Sequence, residues 1–78
     1  MTVKVYSTPT CPFCVMVKDW LKEKKVEFED INLLEDQDAA KTMMEKTGQR
    51  GVPVIDVDGQ FVIGFDKAKL ADLLKVEP

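Results

Sequence analysis

The chain has 78 residues, 45% hydrophobic and 32% charged, with 11 basic and 14 acidic side chains for a net charge of -3. That length gives a single domain over residues 1–78 with one core, and the composition is that of an ordinary folded protein, not a disordered one. The acidic excess argues against a broad surface for nucleic acid or anionic membrane. Met1-Thr2-Val3-Lys4-Val5 opens no secretory signal, and no stretch approaches the length of a membrane span, so a cytoplasmic location is expected.

Residues 2–7 alternate loosely around Val3 and Val5, a strand that stops at the turn-forming cluster Ser7-Thr8-Pro9-Thr10. From Pro12 to about Lys25 the apolar residues Phe13, Val17, Trp20 and Leu21 recur at three- and four-residue spacing, which predicts an amphipathic helix with proline in its first turn. Trp20 belongs to its core face, and Lys22, Lys24 and Lys25 to a solvated face and helix end. Val26–Asn32 carries Val26, Phe28 and Ile31 and reads as a second strand; coming after a helix, it implies a right-handed parallel crossover.

An acidic loop over Leu33–Asp38 follows, in which Asp36 or Asp38 caps a helix running through Thr47, with Ala39, Ala40, Met43 and Met44 on one side and Gly48 at its end. The methionines fill irregular core space. Val52–Val57 is a third strand, Asp58-Gly59 a two-residue hairpin signal and Gln60–Ile63 the fourth strand. Asp66 caps a last helix from Lys67 to about Lys75, with Leu70, Leu73 and Leu74 inward. The order βαβαββα predicts an α/β fold: a four-stranded mixed sheet with three helices distributed over both sides, the first two strands parallel and the last two a hairpin. Its strand-to-helix loops share one edge, where Cys11, Val52-Pro53 and Gly64-Phe65-Asp66 can meet.

The only two cysteines stand in Thr10-Cys11-Pro12-Phe13-Cys14, in a chain without histidine. A bridge enclosing so few residues removes little unfolded-state entropy and is a poor staple. In a reducing compartment such a pair is catalytic, redox-sensing or metal-binding. At a strand-to-helix junction, the unpaired amides and dipole of the first helical turn favour a thiolate on Cys11. Cys14, about one turn inside, is close enough to attack a mixed disulfide formed on Cys11. The spacing thus assigns Cys11 as nucleophile and Cys14 as resolving thiol. A metal or iron–sulfur module is the rival from another class; with two cysteines it needs ligands from a second chain or from added thiols.

With Cys11-Pro12-Phe13-Cys14, Val52-Pro53 and Gly64-Phe65-Asp66 in this order, essentially the whole chain resembles glutaredoxins. The resemblance implies a thioredoxin-like fold and thiol–disulfide exchange on protein disulfides or glutathione mixed disulfides. Glutathione would be the co-substrate and electron donor, through a glutathione reductase system, with no tightly bound cofactor; with no third cysteine and no histidine no metal is expected, and with no long exposed apolar stripe a monomer is. It implies a cis bond before Pro53, with the Val52 backbone offered to substrate. Phe65 and Asp66, next to Gly64, would hold the γ-glutamyl end of glutathione, and Gln49 and Arg50 its glycyl carboxylate. Thr8 stands where many glutaredoxins carry a lysine, Phe13 where tyrosine is common, Gly51 where threonine is usual, and Gly64-Phe65 where a Gly-Gly pair is frequent. The Gly-Phe ending of the fourth strand is similar to glutaredoxin-like redoxins that draw electrons from thioredoxin reductase, the alternative donor.

Overall fold

The computed structural model describes residues 2–49 and 51–78. Within them β1 (Val3–Ser7), α1 (Pro12–Glu23), β2 (Glu29–Asn32), α2 (Gln37–Thr47), β3 (Val54–Val57), β4 (Gln60–Ile63) and α3 (Lys67–Leu74) follow in the predicted order. The sheet runs β2-β1-β3-β4. β1 is central, parallel to β2 (Tyr6↔Ile31) and antiparallel to β3 (Val5↔Ile55), and β3 turns back into β4 (Ile55↔Val62).

Because side chains alternate along a strand, the sheet has two distinct faces. Val3, Val5, Ile55, Val57 and Val62 point to one, where Val17, Trp20 and Leu21 of α1 and Leu70, Ala71 and Leu74 of α3 cover them. Tyr6 and Val54 point to the other and meet Met43 of α2, flanked by Ile31, Leu33, Ala39 and Phe61. Each fully buried aliphatic side chain contributes about 1.5–3 kcal/mol. At the turn end of the sheet the Thr2 N–H donates to Asp58 Oδ1 at 2.6 Å and the Asp58 N–H to the Thr2 carbonyl at 2.9 Å. This clasp lies opposite the Ser7 end of β1.

Two strands start later than the sequence predicts. Val26 and Phe28 sit outside β2, which begins at Glu29. Lys25 takes a left-handed φ of 60°, its N–H reaches the Lys22 carbonyl, and the Val26 N–H reaches that of Leu21. This is the two-bond helix ending in which the residue after the left-handed one packs inward. Val26 and Phe28 accordingly pack on the core as a helix terminus, not as strand. β3 begins at Val54, because Pro53 has no N–H for the ladder and the carbonyls of Val52 and Pro53 are bonded to Cys11 and Gly64 instead. α1 ends at Glu23 and α3 at Leu74.

Candidate active site

Cys11 follows the loop after β1 as the N-cap of α1, with extended backbone (φ -93°, ψ 109°). Its Sγ accepts the Cys14 N–H at 3.2 Å. Sulfur thus stands where a serine or aspartate oxygen usually satisfies a free amide of the first turn. The Cys11 thiol also donates to the Val52 carbonyl at 3.8 Å. Pro12, first in the helix, sacrifices no hydrogen bond there.

Cys14 lies one turn on and is fully buried, whereas Cys11 is half-exposed. Burial pushes the Cys14 thiol up to about 11, and its hydrogen bond with Cys11 acts in the same direction; a hydrogen bond with the Thr8 backbone and the charge of Lys18 oppose the shift. One sulfur is therefore open to an incoming disulfide, and the other is held neutral, next to it, in the interior.

The Val52–Pro53 peptide is cis, and the Gly64 N–H donates to the Pro53 carbonyl at 2.8 Å. Cys11, Val52-Pro53 and Gly64 are thereby joined in one chain of contacts from three separate segments. Beside them a groove of about 590 Å³ is lined by Thr8, Leu33, Gln37, Ala40, Lys41, Met43, Met44 and Val52. Phe13, Val15 and Met16 are exposed on the first half of α1.

The remaining predicted residues divide into three sets. Thr8 and Val52 wall the groove. Gly64 adopts a left-handed φ of 80°. Phe65 turns inward, its ring edge-on to Trp20 at 6.1 Å with the Lys67 ammonium 5.5 Å from its centroid, and Asp66 caps α3 by accepting the Lys69 N–H at 3.2 Å. Gln49 folds back on Gly51: its Oε1 accepts the Gly51 N–H at 2.6 Å and its Nε2 donates to the Gly51 carbonyl at 3.1 Å. A side chain at position 51 would collide with that amide, since a Cβ there falls 2.6 Å from Gln49 Oε1. Arg50 lies outside the described residues.

Sequence reasoning missed the α2 wall of the groove, Gln37, Ala40, Lys41 and the outer side of Met44. It also missed a polar cluster one turn beyond Cys14, in which Lys18 Nζ lies 3.1 Å from Asp30 Oδ2 and Ser7 Oγ donates to Asp30 Oδ1 at 2.9 Å. A lysine four residues after Cys14, on the margin of the inward stripe, is the signal that could have found the cluster.

A thiol pair at a helix start, set against a Val-Pro loop, is an arrangement found in known proteins. The Glutaredoxin family matches residues 3–62, from β1 into β4. An uncharacterized glutaredoxin-like 8.6 kDa protein in the rubredoxin operon of Clostridium pasteurianum is 42% identical over 73 residues, 94% of this chain and 97% of that protein. Glutaredoxin-like protein NrdH of Lactococcus lactis subsp. lactis is 39% identical over 71 residues, 91% and 97% of the two chains. The crystal structure of the T8A mutant of thioredoxin-like protein BC3987 matches with a TM-score of 0.92 at 34% identity, covering 97% of each chain. Matched across most of its length by the family and by these relatives, and folded as a four-stranded thioredoxin-like sheet, the chain belongs to the glutaredoxin family as a glutaredoxin-like redoxin.

Proposed function

We propose that this redoxin reduces disulfides in other proteins through a Cys11/Cys14 dithiol couple. The Cys11 thiolate attacks a substrate sulfur, forming a mixed disulfide and releasing the substrate's other sulfur as a thiol. The Cys14 thiolate then attacks Cys11 Sγ and releases the second substrate thiol, and a donor of two electrons reopens the internal disulfide. The observation that carries this reading is the asymmetry of the pair, a half-exposed cap sulfur touching the amide of a fully buried one. Thr8, Phe13 and Val52 contact the substrate around Cys11. Cys11→Ser is expected to abolish exchange in every assay. Cys14→Ser is expected to lose protein-disulfide reduction while keeping turnover of glutathione mixed disulfides, and equal loss in both assays would sink the assignment.

For the donor, the resemblance to glutaredoxins implies glutathione held at Arg50, Val52, Gly64, Phe65 and Asp66. Two observations support thioredoxin reductase as the donor instead. The Gln49 side-chain amide is turned onto both the N–H and the carbonyl of Gly51. The relatives include proteins named NrdH and a thioredoxin-like protein. The redoxin works as a cytoplasmic monomer, where reductases keep both thiols available. NADPH consumption with a protein disulfide decides the donor: turnover with thioredoxin reductase alone is expected, and turnover only with glutathione plus glutathione reductase would return the site to glutathione.

A further inference from the structure

Lysine side chains stand mostly in water, yet that of Lys18 is only 21% exposed. α1 turns Cys14, Val17 and Leu21 into the core, and Lys18, one turn beyond Cys14, lies at the margin of that stripe. Its ammonium is fixed by Asp30 of β2, and Asp30 is fixed through its second oxygen by Ser7 of β1. Ser7 is itself buried. Three elements thus meet at this cluster, one helical turn beyond the buried sulfur.

Resting on the dithiol reading above, we infer that Lys18 is a positioning residue for the second half of the exchange: clamped by Asp30 and Ser7, its ammonium steadies the Cys14 thiolate as that sulfur attacks the disulfide on Cys11. In this step the Cys14–Cys11 sulfur bond forms and the bond from Cys11 to the substrate sulfur breaks. Cys14 is oxidised to the disulfide level and the substrate sulfur is reduced. The electron pair leaves on that sulfur, and the proton that Cys14 gives to water is regained there from water. Among the described residues the charge of Cys11 raises the Cys14 thiol and that of Lys18 lowers it. Asp19 and Lys22 share with Lys18 and Asp30 a hollow of about 310 Å³, completed by Val15 and Phe28.

The test mixes reduced protein with one equivalent of dithiobis-nitrobenzoate in a stopped-flow instrument across a pH series. The first thionitrobenzoate release is bimolecular and reports Cys11; the second is independent of concentration and reports Cys14. For Lys18→Met, the first release is expected to be unchanged, while the pH midpoint of the second moves up by about half a unit. Below that midpoint the variant is roughly twofold slower. Above it the variant is faster, because the more basic thiolate is the stronger nucleophile, so the two profiles cross. Lys18→Arg is expected to restore the wild-type profile, and Lys18→Gln carries the same expectation as Lys18→Met should that variant fail to fold. An unmoved midpoint, or parallel changes in both phases, would overturn the role of Lys18 and leave the dithiol reading standing. A single release from the wild type would remove the dithiol reading itself, and the role of Lys18 with it.

Discussion

Cys11 and Cys14 share one helical turn and yet meet different solvents. At neutral pH iodoacetamide is expected to modify Cys11 and spare Cys14 until the chain is unfolded, which peptide mass spectrometry checks directly. Burial of Cys14 also has a thermodynamic signature. Its thiol is raised from an ordinary 9.0 to about 11. In that interval the unfolded thiol ionises while the folded one keeps its proton, so the native state binds more protons and stability falls as pH rises. Below pH 9 both states are protonated and the full contribution is present; by pH 11 the loss reaches a few kcal/mol. The Tyr6 hydroxyl, pushed up by burial and by the carboxylates of Asp56, Glu29 and Asp36, adds a loss of the same sign. The measurement is therefore the difference between reduced wild type and Cys14→Ala in urea titrations across the window, and a parallel pH dependence in the two would refute it.

The helices of this fold are secured at their ends as much as along their faces. Asp36 and Asp66 each accept an N–H three residues on, Ala39 at 2.9 Å and Lys69 at 3.2 Å. Replacing Asp66 with alanine is expected to cost about 1 kcal/mol in urea unfolding, since α3 has only eight residues over which to recover the loss. α3 closes on Lys75 at a φ of 59°, with the Val76 N–H bonded to Ala71. Lys75→Gly is expected to stabilise the chain by about 0.5–1 kcal/mol, because glycine adopts that conformation without a Cβ penalty. Caps and the Asp58-Gly59 turn were legible in the sequence because their chemistry is local. Val26 and Phe28 misled because an apolar residue after a left-handed helix end and an apolar residue in a strand look alike until tertiary packing separates them. In the site, the cysteines stood out by rarity. Lys18 did not, since a lysine on a helix reads as solvated until Asp30 arrives from another strand. Met43 and Met44 were read together as core; both line the groove, and Met43 alone of the two is also buried in the core.

At the scale of the whole molecule, the sheet separates two apolar clusters that share no side chain, one holding Leu21 and the other Met43. Truncating either to alanine is expected to cost about 2–5 kcal/mol, a large part of the roughly 5–15 kcal/mol available to a domain. With the sheet between them, the two losses are expected to add within about 0.5 kcal/mol in a double-mutant cycle; a larger coupling would show that the faces relax together. The clasp between Thr2 and Asp58 has a practical corollary. β1 enters the sheet there and leaves it at the thiol loop, about 17 Å of strand away. A tag, bead or electrode linker joined ahead of Thr2, or spliced into the Asp58-Gly59 turn, would hold the molecule by the pole remote from Cys11 and present its sulfurs outward.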